Sequence, residues 1–359
     1  VDERTLVSTG LFPKYEYGEK LQITGLAQES RFQNDWPVVF DPEVSRLEQH
    51  QGFWLKQKLL GFENFLVQKF ALVLPSDQAA LLAGLTFGER GEFSEDLKTD
   101  MARSGVTHIV ALSGYNIAIL AIAIERAFSK FVPRRKRFYL TLGLIFVFVL
   151  MVGGEASVVR AAIMGALALL AQHVGRPHEV MHLVVLTAVG MILINPTVTY
   201  YNLGFQLSFL SLVGIILLEP ALRKMLNFKS GREESFLSWK ENGLTTISAQ
   251  LAVLPVVLVN FDYFSITSIL ANVLILFSVP LTMFLGFLLA GLGSISIFLG
   301  YFAAKIVSVL LFYQIGVIKI FSYLSFSFGS INNPMLVYFV FYGFLGCLVI
   351  YSWKYEKVR

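Results

Sequence analysis

Three long stretches without a single formal charge constrain this chain more than any motif does. No Asp, Glu, Lys or Arg occurs from Val180 to Leu218, from Tyr263 to Ala304 or from Ile320 to Trp353. A helix that crosses a bilayer needs about 20 predominantly apolar residues, so each stretch has room for one or two crossings. Of the 359 residues 55% are hydrophobic and 15% charged, where a soluble domain carries about a quarter charged residues. The chain is expected to be a polytopic α-helical membrane protein. A small, incomplete β domain precedes the apolar part.

That β domain is read from residues 1–45. Thr5–Gly10 and Lys20–Leu26 alternate apolar and polar side chains, the period of half-buried strands. Pro13 and Gly18 punctuate the turn-like stretch between them, and the Lys14–Thr24 region reads as a hairpin. Two or three strands cannot close a barrel, so part of the domain is expected upstream. Lys14, Tyr15, Tyr17 and Lys20 combine charge with aromatic faces, which suits a single strand of nucleic acid. The same mixture also decorates sheets that bind nothing.

Residues 46–75 form the next unit. Phe53, Trp54, Leu59, Phe62, Phe65 and Phe70 are interleaved with Lys56, Lys58, Glu63 and Lys69. An amphipathic helix of this composition lies in a membrane interface or packs on the protein's own body. Beyond it, spans are expected near residues 106–128, 138–153, 156–173, 180–195, 199–218, 243–261, 265–291, 294–318 and 333–353, with ends good to about 2–4 residues. Part of 303–325 also fits an interfacial helix, because Lys305 and Lys319 interrupt it.

The net charge of +4 is mild, and its cations cluster. Lys130 to Arg137 holds five basic residues and no acid, Arg223, Lys224, Lys229, Arg232 and Lys240 share a second loop, and Lys354, Lys357 and Arg359 end the chain. The positive-inside rule puts all three in the cytoplasm and the β domain outside. One cysteine, Cys347, excludes an internal disulfide. No P-loop is present, and no metal or cofactor site is expected.

Polar residues recur at membrane depth. Thr107, His108, Ser113 and Asn116 open the first span around Gly114. Such residues glue helices together, or they line a cavity at a broken helix. Gly153-Gly154 makes a tight turn before Glu155, Ser157 and Arg160. Arg160 cannot face lipid cheaply and needs a partner, either Glu155 in an ion pair or an anion in transit. Gln206 and Ser208, then Gln250 with Pro255, and Asn272 with Pro280, continue the pattern in later spans. An intramembrane enzyme using His108 or Ser113 ranks last, since no base is placed beside Ser113 by spacing.

Four stretches taken in order carry a family resemblance. They are Leu82–Arg90 (LAGLTFGER), Ser104–Gly114 (SGVTHIVALSG), Ser157–Ala162 (SVVRAA) and Gly204–Phe209 (GFQLSF). Together they resemble the ComEC family of bacterial competence proteins, over roughly residues 75–290. The resemblance implies an inner-membrane channel that takes single-stranded DNA into the cytoplasm during natural transformation. It implies that the β domain is OB-like, that 76–330 is the channel domain, and that 331–359 is a last span with a basic tail. It also implies a cytoplasmic motor and an extracytoplasmic DNA receptor as partners, beside membrane lipid. Thr107, His108, Ser113, Asn116, Glu155, Ser157, Arg160, Gln206, Ser208 and Gln250 become candidates for the wall of a DNA path. Many members carry a metallo-β-lactamase-like nuclease. His50, His108, His173, His178 and His182 do not form its metal motif, so this chain is expected to serve passage, not cleavage. A transporter or flippase for another anion is the alternative reading.

Overall fold

The computed structural model describes residues 6–8, 17–28, 38–40, 42–48, 52–89, 93–110, 114–154, 156–174, 180–197, 199, 202–226, 239–260, 263–264, 268–324, 326–327 and 334–354. Among them are seven short strands and twelve α-helices.

The N-terminal strands form two small sheets. In one, β4 (Val38–Phe40) lies between β1 (Leu6–Ser8), parallel to it, and β3 (Ala27–Gln28), antiparallel. In the other, β2 (Lys20–Thr24) runs antiparallel to β5 (Glu43–Glu48), with Ile23 opposite Val44. The partner of β2 comes from beyond β4; residues 14–16 of the expected Lys14–Thr24 hairpin lie outside the described residues. A parallel β1–β4 pair needs a crossover rather than a tight turn, and alternation within a strand does not reveal which strand it pairs with.

Helix α1 spans Trp54–Val73, so residues 46–48 belong to β5 and the helical unit starts later than position 46. Its Glu63, Leu66 and Phe70 lie at helical spacing and are buried, while Phe53, Trp54, Phe62, Phe65 and Leu72 stay exposed. The helix therefore packs on the protein's own body with one stripe and offers an aromatic face outward. Helix α2 (Ser76–Phe87) is buried at every residue from Ala79 to Phe87. Twelve residues make a helix of about 18 Å, too short to span, and the bundle encloses it from Ala79 onward. Phe87 lies 6.2 Å from the Phe70 ring and meets Phe287 edge-on at 5.8 Å.

Helix α3 (Glu95–Ser104) starts at Ser94, whose hydroxyl accepts from the Leu97 N–H, and stops at Gly105 with φ +72°. A 3-10 turn follows at Thr107–Ile109. Then come α4 (Gly114–Phe128), α5 (Arg134–Met151), α6 (Ala156–Val174), α7 (Val180–Ile194), α8 (Leu203–Met225), α9 (Trp239–Asn260), α10 (Ser268–Ile295), α11 (Ile297–Ser322) and α12 (Pro334–Lys354). Strands β6 (Tyr263–Phe264) and β7 (Phe326–Ser327) pair antiparallel and tie the entry of α10 to the exit of α11.

Small residues set the closest helix contacts. The α10–α11 hairpin closes where Gly300 faces Gly293; a Cβ on Gly300 would stand 3.0 Å from the Gly293 Cα. At the α8–α9 contact a Cβ on Gly214 would collide with the Ala252 side chain and sit 2.8 Å from the Ser248 carbonyl oxygen. Helix α12 joins this pair through Leu345, packed with Leu218 and Ala252, and through the Tyr342 hydroxyl, which donates to the Ala252 carbonyl at 3.1 Å.

Among the described residues, Leu203–Met225, Gly243–Asn260, Ser268–Ile295 and Ile297–Ser322 are long and apolar enough to cross a membrane. Shorter apolar stretches occur at Ser157–Leu167, Val180–Ile194 and Met335–Ile350. Residues 303–322 of the stretch also read as interfacial belong to one continuous helix, α11. The expected span 106–128 does not open as α-helix: a 3-10 turn occupies Thr107–Ile109, and the α-helix described after it is α4, Gly114–Phe128.

Candidate functional site

The 3-10 turn is where polar groups enter the bundle. Gly105 and the 3-10 turn end the α3 direction, and α4 restarts at Gly114 as a helix of 15 residues, or about 22 Å. Irregular backbone at membrane depth is tolerated only where protein or a cavity surrounds it. Residues 111–113, Ser113 among them, lie outside the described residues. Asn116 is buried and donates from Nδ2 to the Leu85 carbonyl at 3.2 Å, which ties α4 to α2. His108 Nε2 lies 3.3 Å from Asn272 Oδ1 on α10. Thr107 is exposed.

The second cluster surrounds Arg160. Gly153 and Gly154 have φ of +81° and +71°, a conformation strained for any residue with a side chain, and they make the turn from α5 to α6. Glu155, the partner expected from sequence, lies outside the described residues. Ser157 is half-buried. One turn into α6, Arg160 is only 5% exposed. Its guanidinium carbon stands 5.7 Å from the centre of the Phe209 ring on α8, and Phe209 in turn lies 4.4 Å from the Phe205 ring. Within the described structure Arg160 Nη1 has no hydrogen-bond partner. A guanidinium favours an aromatic face, but a ring cannot satisfy an in-plane N–H. Leaving such a donor unpaired in a buried place costs free energy unless something visits it.

The remaining wall candidates divide by location. Helix α4 reaches this place through Gly114, whose added Cβ would lie 3.7 Å from Ala161, the neighbour of Arg160. Gln206 precedes Phe209 by one turn and donates from Nε2 to the Thr199 carbonyl at 2.9 Å. Ser208 is half-buried, and its backbone carbonyl accepts from Ser211 Oγ at 2.9 Å. Gln250 Oε1 accepts from Ser268 Oγ at 3.4 Å, between α9 and α10. The structure thus gathers Gly114, Arg160, Phe205 and Phe209 at the α4–α6–α8 junction. It commits His108 and Gln250 to contacts with α10.

In the β domain, one face of the Tyr17 ring is taken by Lys56 Nζ at 4.5 Å. Lys20 is exposed, and Lys14 and Tyr15 lie outside the described residues. On α1, burial together with the nearby Glu89 carboxylate pushes the Glu63 carboxyl up to about 8.

Two features escaped the sequence reading. Phe209 was visible only as the end of the Gly204–Phe209 stretch, with nothing to mark it as the ring beneath Arg160. Gln314, fully buried on α11, donates from Nε2 to Ser278 Oγ at 2.8 Å and Thr282 Oγ1 at 2.9 Å. A lone glutamine in an apolar stretch was its only signal.

Apolar helices of spanning length, with polar side chains held between them, define a multi-pass membrane protein. The chain belongs to the Competence protein family, whose model matches residues 85–355. It is similar to ComE operon protein 3 of Bacillus subtilis (strain 168), with 27% identity over 220 residues. That alignment covers 61% of this chain but 27% of the relative, so the similarity spans about a quarter of the relative's length. No solved structure matches the chain.

Proposed function

We propose that this chain forms the membrane passage by which single-stranded DNA enters the cytoplasm in competence, with the α4–α6–α8 junction as part of its wall. The observation that carries the reading is Arg160, buried, stacked on Phe209 and left with an unused N–H. A single strand offers what both parts of this arrangement accept. Its phosphates suit the guanidinium, and its bases stack on aromatic rings without regard to sequence. Membership of the Competence family supports the cargo.

In this reading the basic loop 130–137 and the C-terminal tail face the cytoplasm, and the β domain faces outward, where a receptor hands over the strand. Passage is the chain's own task, and force is supplied by a partner motor. A transporter for another anion would use Arg160 alike, and the cargo decides between the two. Deletion of the gene in a transformable host should abolish entry of DNA into the cytoplasm while DNA still binds the cell surface. Normal transformation of the deletion strain overturns the proposal.

A further inference from the structure

The geometry points to a second site, a pocket for an anionic phospholipid at the basic ends of α4 and α5. A cavity of about 310 Å³, open to the surface, lies between α4, α5 and α6, within the usual range of about 300–1,000 Å³ for ligand pockets. Ile122, Phe138 and Leu169 give it an apolar wall, and Arg126 and Arg134 stand at it with Glu125. The Glu125 carboxylate is already neutralised, since it accepts from Arg137 Nε at 2.7 Å and from Thr141 Oγ1 at 3.2 Å. Arg137 also donates from Nη1 to the Ser129 and Val132 carbonyls, which fixes the α4–α5 turn. Arg126 and Arg134 are exposed and have no side-chain partner among the described residues. Two uncommitted cations therefore face an apolar recess.

That combination fits a phosphate joined to hydrocarbon. A basic pocket between membrane helices on the cytoplasmic side is a recognised form of headgroup site. Phe131, 83% exposed at the tip of the turn, and Tyr139, also exposed, give the same end of the bundle an aromatic edge suited to the membrane interface. A passing strand would need cations spaced along a path, whereas here they stand over a closed apolar wall. The inference rests on the membrane placement of the chain and not on DNA passage.

The test uses the full chain in detergent and measures lipid retention by native mass spectrometry, with phosphatidylglycerol against phosphatidylcholine. Arg126→Gln combined with Arg134→Gln should weaken phosphatidylglycerol binding by about 10–30-fold. Ile122→Trp, which fills the recess and keeps both charges, should weaken it as well. Arg135→Gln combined with Lys136→Gln removes the same charge from the same turn outside the cavity, and should leave binding within about twofold. Free glycerol phosphate should not displace the lipid. Equal loss in the two double variants, no preference over phosphatidylcholine, or unchanged binding in Ile122→Trp each overturns the proposal. So does loss of oligothymidylate binding in place of lipid binding, which would give the cavity to the strand.

Discussion

The α2–α10–α11 block and the α4–α6–α8 junction are both made of apolar helices carrying polar side chains, and they treat those side chains in opposite ways. In the block, polar side chains bond one another or a neighbouring helix. Gln314 bridges Ser278 and Thr282 on either side of Pro280, Ser308 donates to Gln78, and Ser322 donates to Asp100. Among the described residues, the one buried side-chain atom left unpaired there is Gln314 Oε1, and it is neutral. At the junction the buried group is a cation, and one of its donors is unpaired. Polarity at depth therefore takes two forms in one bundle: paired neutral groups that hold helices together, and a buried charge with one donor unpaired among the described residues, which the proposed function assigns to the passing strand.

The largest test of that contrast is Arg160→Met, which keeps the stem and removes the charge. DNA entry should fall by about 10–100-fold, the equivalent of one charge-assisted hydrogen bond of about 1.5–3 kcal/mol, while the amount of protein in the membrane is unchanged. Its thermal midpoint should hold or rise, because replacing an incompletely paired buried ion by an apolar side chain is often stabilising. Arg160→Lys should recover only part of the entry, since a point charge cannot reproduce the fork. Loss of the protein from the membrane in Arg160→Met would instead make Arg160 a structural residue. Gly214→Val should act on stability, costing about 1–3 kcal/mol by overpacking the α8–α9 contact, with less folded protein on blots.

Gln314→Leu should be milder and opposite in kind to Arg160→Met. Two interhelical bonds at about 0.6 kcal/mol each put the loss near 1 kcal/mol in thermal unfolding, with DNA entry per folded molecule unchanged. The effect of Glu63 depends on pH. Its carboxyl is raised to about 8 from 4.5, so between those values the folded state holds a proton that the unfolded chain has lost. Its contribution to stability is therefore greatest at low pH and declines as pH rises through 8. Glu63→Gln should remove that decline, raising the midpoint by a few degrees at pH 8 and by less at pH 5.

Much of the fold was legible because charge-free runs have few uses in water. The apolar helices α8 to α12, the amphipathic α1 and the Gly153-Gly154 turn all follow from local composition, whereas the 3-10 turn at Thr107–Ile109 broke a span expected to run unbroken. What sits beside each helix did not follow. On α10, Phe284 is exposed and Leu289 is fully buried, yet a bilayer and a protein core ask for the same kind of side chain. Hydropathy for that reason did not single out α2, although every residue of it from Ala79 to Phe87 is buried. The polar clusters were found as residue types, but their partners lie far along the chain: Leu85 for Asn116, Asn272 for His108, Phe209 for Arg160. No short-range pattern encodes such pairings, and only the last of them leaves chemistry unspent.

Photo-crosslinking during DNA uptake tests the central claim most directly. A photoreactive phenylalanine at Phe209, the ring beneath Arg160, should capture incoming single-stranded DNA. The same group at Phe284, on the exposed face of α10, should capture lipid and no DNA. Crosslinks to DNA at Phe284 with none at Phe209 would contradict the account.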